Sequence, residues 1–388
     1  MMRPFYFDED HSLHLTMAVE TLSTPQNGSG IPEARLIMEL EAEGTYARRP
    51  PIYWNAEAAK PDIVDVIQQC FAQLTQWHQP VELFEFPNAS VVGQGSVVTN
   101  QRHLIKESVL EFVAHGLAPD EFVIKADGTY MTKLKQGRFI ESPCLLAKRP
   151  WYQNYGHWLV DSLTVIALAA DLIRINKWKI VIGKFSSAGM RRAVLDSIAM
   201  IFQDFPVEVI EHPDNEVWFF DRLYYMTPTH VPPLFKSPTG LEKLRSFSSA
   251  IETNQMGRRI FVSRNTSTYR RLVNENEVFD MFTEYGFEFV NPEKLSFNEQ
   301  VKLFAEADMI AGVKGAALTN CIFSPRGMKV LVLCPSDFPD MFFWDFIAQL
   351  DGHYAEVYGP ITTNNHQSHN DFFIPVEACK AALQQLLR

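Results

Sequence analysis

A chain of 388 residues is longer than one ordinary hydrophobic core supports, so two domains are expected. Hydrophobic residues make up 46% and charged residues 21%, a globular composition that excludes a disordered chain. A formal net charge of −11 argues against a nucleic acid as partner, yet leaves room for a small anion held by a local cluster of Arg and Lys.

Residues 1 to about 60 are rich in Pro and Gly and are expected to be irregular. Asp8 and Asp10, near His11 and His14, form the one Asp-x-Asp; surface charge explains them better than a metal, and none is expected. Asp62 to His78 carries Ile63, Val66, Ile67, Cys70, Phe71 and Leu74 on one helical stripe. From Val81 to about Leu145 short β-like runs dominate, giving an irregular β-rich portion.

From Trp158 onward helices and strands alternate, which implies a parallel sheet with helices on its faces. Trp158 to Ile173 and Ser186 to Phe202 are helical, and Lys179 to Gly183 and Val207 to Glu211 are strands. His230 to Gly240 is Pro-rich and reads as a crossover. A second βα series follows, with strands at Arg259–Ser263, Phe287–Val290, Met309–Val313, Lys329–Cys334 and Tyr354–Tyr358. Capping-box spacing opens its helices at Asn274/Glu277 and Ser296/Glu299. The expected fold is therefore α/β, two facing Rossmann-like domains of the GT-B type with a β-rich start. The expected domains are 1–235 on the acceptor side, 241–372 binding the donor, and a closing helix in 375–388 that packs back on the first domain.

Five cysteines at long spacings, with no CxxC, fit a reducing compartment and no structural zinc. No stretch approaches the ~18 uncharged apolar residues of a membrane span, and the N-terminus lacks a signal core. A cytoplasmic location is expected, with peripheral contact at the inner face of the membrane compatible with it.

Three stretches carry chemistry. In Asn154-Tyr-Gly-His-Trp-Leu-Val-Asp161, His157 and Asp161 are spaced i, i+4 and share a helix face, a place for a general base. The plainer alternative is a local pair that caps the helix. Around Arg264, Arg270 and Arg271, guanidinium forks suit phosphate, whereas the alternative is a solvated basic loop. Gly312-Val-Lys-Gly-Ala-Ala-Leu-Thr-Asn320 turns from a buried strand into a helix whose N-terminal N–H groups favour an anion, with Lys314 beside them. This turn is neither a dinucleotide fingerprint nor a P-loop, and its plainer reading is tight packing of helix on sheet.

Taken in order, these stretches resemble the family-61 glycosyltransferases. The resemblance covers about residues 90 to 360. It rests on Asn154 to Leu163, on Ser263-Arg264 with Arg271 and Asn274-Glu275, on Gly286 to Glu288 with Leu295 to Gln300, and on Gly312 to Asn320. It implies two Rossmann-like domains, an inverting mechanism and a nucleotide-sugar donor, with no cofactor and no obligatory metal. One departure is Lys314, where the family usually has His.

On that resemblance a base takes the acceptor proton, and Arg264, Arg271, Lys314 and the N–H groups after Gly315, with Ala316, hold the departing diphosphate. Asp161 is the first choice of base and His157 the second. Asn154 and Trp158 are assigned to the acceptor side, and Asn320 and Glu299 to ribose or sugar contacts. The expected partners are a nucleotide sugar and a glycan or glycolipid acceptor, in capsule or other surface-polysaccharide synthesis of a bacterial type. A nucleotide-sugar epimerase, which needs no acceptor, and a non-catalytic nucleotide-sugar binding protein are the alternatives.

Overall fold

The computed structural model describes residues 13–17, 34–100, 103–110, 112, 119–124, 130–132, 134–232, 235–365 and 368–388. Asp8, Asp10 and His11 lie outside the described residues. The fold is mixed α/β with a β-rich N-terminal part, and the chain divides into two compact units.

The first unit comprises Met1–Gly44, His78–Pro232 and Glu242–Leu244. Its sheet has 12 strands among the described residues. At the centre, Val81–Val92 runs antiparallel to Glu216–Met226, and their side chains are buried on both faces around Phe84, Phe86, Trp218, Phe220 and Tyr225. Glu216–Met226 is also parallel to Cys144–Leu146, which is followed outward by Lys179–Gly183 and Val209–His212. Cys144–Leu146 and Glu216–Met226 are thus parallel neighbours, and the chain leaves both at the same edge of the sheet. Both arms of the unit's candidate site grow from that edge.

The second unit comprises Thr45–Trp77, Pro233–Leu241 and Arg245–Arg388. Its six-stranded sheet is wholly parallel, in the order Glu288–Val290, Arg258–Val262, Ala307–Val313, Lys329–Pro335, His353–Gly359, Ile52–Trp54. Continuous apolar runs such as Val330-Leu-Val-Leu-Cys334 suit strands covered on both faces. Counting from Arg258–Val262, the first five strands lie in the order 2-1-3-4-5. The direction of winding therefore reverses between Arg258–Val262 and Ala307–Val313, and ligands bind at the carboxyl ends beside such a reversal.

Several expectations are corrected here. The segment 45–77 belongs with the C-terminal unit, because Ile52–Trp54 adds a parallel edge strand to His353–Gly359. The closing helix Val376–Leu387, expected on the first domain, packs on the sheet of its own unit, where Cys379, Ala382, Leu383 and Leu386 join Leu331 and Val357 in one core. The helix expected to run to His78 ends at Phe71 and gives way to the strand Thr75–His78. The capping box at Ser296 and Glu299 is present. Asn274 instead ties down the C-terminal segment, its amide accepting from Ile374 N–H and donating to Ile374 O.

Candidate functional site

In the first unit the chain leaves Cys144–Leu146, passes the buried Lys148 and Arg149, and starts a helix at Tyr155. The Asn154 side chain accepts from Gly156 N–H at 2.8 Å, so it caps this helix. Trp158–Leu163 is then a π-helical turn before α-helix resumes at Thr164. No Pro or Gly lies within that turn. Single π-turns of this kind are frequent at functional sites.

His157 and Asp161 flank the turn. His157 Nδ1 donates to Asp161 Oδ2 at 2.8 Å, and His230 Nδ1 donates to Asp161 Oδ1 at 2.7 Å. His230 arrives from the carboxyl end of Glu216–Met226, through Thr227 to Thr229, and opens the short strand His230–Val231. Burial alone would raise the Asp161 pKa, but the charge of His230 and the hydrogen bonds from both imidazoles outweigh it and hold the carboxyl below its ordinary range. Side-chain exposure is 21% for His157, 10% for Asp161 and 2% for His230. Beside Asp161 and His230 lies a cavity of about 30 Å³, also lined by Glu107, Ser108, Arg149, Tyr225 and Thr229.

In the second unit the site forms at the winding reversal. Arg264 follows Arg258–Val262, and Lys314-Gly315 follow Ala307–Val313. Gly315 is extended, and a Cβ there would stand 2.6 Å from Arg264 Nη1, so the glycine admits the guanidinium against the turn. Gly312 is required for another reason: a Cβ there would stand 2.6 Å from Val262 O in the neighbouring strand. Ala316–Phe323 is a 3-10 helix, and its first N–H groups have no acceptor within the helix.

Arg270 completes this corner. It has φ 57°, its Nε donates to Ser368 O at 2.7 Å, and its Nη1 donates to Lys314 O at 2.9 Å. Burial, and then the positive charge of Arg264, press its pKa down to about 10. Arg264 lies 5.0 Å from the Tyr269 ring centroid and Arg270 4.5 Å from that of Phe338. Arg264 Nε is buried without a hydrogen-bond partner, and among the described residues neither arginine forms an ion pair. Two half-buried guanidiniums without a carboxylate beside a helix start can hold an anion.

Other assigned residues are engaged by partners within their own units. Lys314 is fully buried; its Nζ donates to Glu356 Oε1 at 2.9 Å and to Asp340 O at 2.9 Å, so its charge is spent inside the unit. Arg271 forks onto Asp371 at 3.0 and 2.6 Å, fixing the segment that leads to the closing helix. Asn320 is buried and donates to Gln300 Oε1 at 2.9 Å and Ala317 O at 3.1 Å. The Glu299 carboxylate takes the Ser296 N–H and hydroxyl in the capping box. Trp158 is fully buried in the first unit, with Nε1 donating to Ser197 Oγ at 2.9 Å. His230, in the expected crossover, was not among the residues singled out from sequence, and the guanidinium that bonds Lys314 O beside the glycine turn is that of Arg270, whereas Arg271 bonds Asp371.

The family model described as Glycosyltransferase 61 matches residues 155–331, the segment that holds both clusters, from His157 to Gly315. The match supports a family-61 glycosyltransferase domain over these residues. No curated protein matches the chain. Such a domain implies a sugar donor and an acceptor as substrates. No helix among the described residues is long and apolar enough to cross a membrane.

Proposed function

We propose that this glycosyltransferase is an inverting, metal-independent enzyme of the GT-B type that moves a sugar from a nucleotide diphosphate to a glycan or glycolipid hydroxyl. The donor diphosphate binds Arg264, Arg270 and the N–H groups at Ala316 and Ala317. The observation that carries this reading is the winding reversal of the parallel sheet, where two guanidiniums without acidic partners meet a glycine turn and a helix start. Arg271 and Lys314 act from behind, as the frame of that corner.

His157 serves as base and Asp161 orients it, the reverse of the order expected from sequence. Both Asp161 oxygens are occupied by imidazole N–H groups, which makes the carboxylate a poor proton acceptor. Donation from Nδ1–H leaves Nε2 as the basic nitrogen of His157. In the reaction the acceptor oxygen bonds to the anomeric carbon as its proton passes to His157. The bond from that carbon to the phosphate oxygen breaks, and its electron pair leaves with the diphosphate. The arginines and the helix start stabilise that charge. The transferred sugar is thereby inverted.

A place in capsule or other surface-polysaccharide synthesis at the cytoplasmic face of a bacterial membrane fits five cysteines that form no disulfide. The match to a transferase family favours transfer over the epimerase and the non-catalytic binding protein. The test is a thermal-shift screen of nucleoside diphosphates and nucleotide sugars, followed by transfer assays with the donor that stabilises the protein. Stabilisation by a nucleotide sugar that is lost in Arg264→Ala is expected. Undiminished stabilisation in Arg264→Ala, or undiminished transfer in His157→Ala, would refute the assignment.

A further inference from the structure

We infer that His157, Asp161 and His230 also constitute an inhibitory site for a borderline divalent metal, Zn²⁺ by ligand chemistry. The inhibitory half of this inference rests on His157 being the base.

Three observations carry it. First, one ligand atom from each of the three side chains falls within 4.8 Å of the others, and they come from two separate elements, the Tyr155 helix start and the strand His230–Val231. Two imidazoles and one carboxylate form a ligand set for a first-row transition ion, with further positions open. Second, Asp161 sits on the π-turn Trp158–Leu163, a feature frequent at functional sites, and from there its two oxygens meet both rings. Third, the cavity of about 30 Å³ touching Asp161 and His230 has room for a water to fill a coordination position.

The charges around the cluster select the ion. Arg149 lines the same cavity, held by Met226 O at 2.5 Å and packed 4.5 Å from the Tyr225 ring centroid, while Glu107 opposes it. With Arg149 present the site offers little net negative charge, so Mg²⁺ and Ca²⁺, which need several oxygen ligands, find little to bind. Zn²⁺ and Co²⁺ gain from the two nitrogens. When metal binds, the ring proton leaves Nδ1 and Nε2 takes one up, so each imidazole stays neutral while its Nδ1 lone pair takes the ion. His157 then has no basic nitrogen for the acceptor.

The experiment titrates the purified full chain with Zn²⁺ by calorimetry and with Co²⁺ by visible absorbance, and measures transfer with and without the ion. One equivalent is expected to bind, unaffected by excess Mg²⁺, with transfer blocked and then restored by chelator. His230→Ala is expected to weaken binding about a hundredfold. His230→Asn keeps an N–H donor for Asp161 but is a poor ligand, so the same loss there separates coordination from folding. No saturable binding, or binding unchanged in both variants, overturns the inference and leaves the role of His157 to the His157→Ala test. Binding at these residues without inhibition also overturns it, and separately removes His157 as base.

Discussion

Lys314 offers the sharpest test, because sequence and structure give it opposite roles. As a phosphate ligand its loss would weaken donor binding and spare the fold. As half of a buried ion pair its loss would strike the fold. The Glu356 carboxylate that it serves is fully buried and also accepts hydroxyls from Tyr354, at 2.5 Å, and from Tyr358. Removing the ammonium in Lys314→Met strands this carboxylate, which costs about 3–5 kcal/mol for a buried pair. In Lys314→Met with Glu356→Gln the charge is gone while the amide can accept from one tyrosine hydroxyl and donate to the other, and most of that loss returns.

Hydrogen exchange of peptides spanning Lys329–Pro335 and His353–Gly359 reads the effect locally, which matters in a chain of two units. At 1.36 kcal/mol per tenfold, the single variant accelerates exchange there by roughly a hundredfold to a few thousandfold. The double variant returns to within about tenfold of the parent, and its nucleoside-diphosphate affinity stays within a few-fold. Acceleration below about tenfold in the single variant would refute the buried-pair reasoning. A double variant with restored exchange but lost affinity would make Lys314 a ligand after all.

Arg270→Ala is expected to weaken nucleoside-diphosphate binding by about 1.5–3 kcal/mol, the range for a charged hydrogen bond, with little change in stability. Arg271→Ala is expected to leave that affinity nearly unchanged and to loosen the segment near Asp371, which exchange of residues 371–374 would report; equal effects of the two variants on affinity would contradict the division of roles. Gly315→Ala pushes against Arg264 Nη1, so donor KM rises while kcat with saturating donor falls less; an unchanged KM would show that the contact is irrelevant. Asp161→Asn keeps an acceptor for one imidazole only, and kcat is expected to fall at least tenfold with donor affinity intact, consistent with typical general-base contributions. Full transfer by that variant would remove Asp161 from the machinery.

The parallel strands of the second unit were legible because each is a short apolar run closed by a turn, as in Arg259 to Ser263 and Lys329 to Cys334. Their order was not, since nothing local says that Arg258–Val262 lies between Glu288–Val290 and Ala307–Val313. Ile52–Trp54 went unseen because a three-residue edge strand after Pro50 and Pro51 has no periodicity to read. The i, i+4 spacing announced His157 and Asp161. His230 is separated from Asp161 by 69 positions, and only the parallel pairing of Cys144–Leu146 with Glu216–Met226 brings it there.

The choice between Arg270 and Arg271 shows where sequence reasoning stops in a loop. Two adjacent arginines have the same chemistry, and their side chains diverge because the backbone turns at Arg270, with φ 57°. That turn is held by contacts remote in sequence: Asp371 takes the N–H and guanidinium of Arg271, and Ser368 O takes Nε of Arg270. The C-terminal segment therefore decides which arginine reaches the glycine turn. Asp371→Asn should consequently lower donor affinity although Asp371 bonds Arg271 and not Arg270, and Arg271→Lys, which keeps the charge but loses the fork, should do so less. If Asp371→Asn leaves affinity untouched, Arg270 holds its place through Ser368 and Lys314 alone.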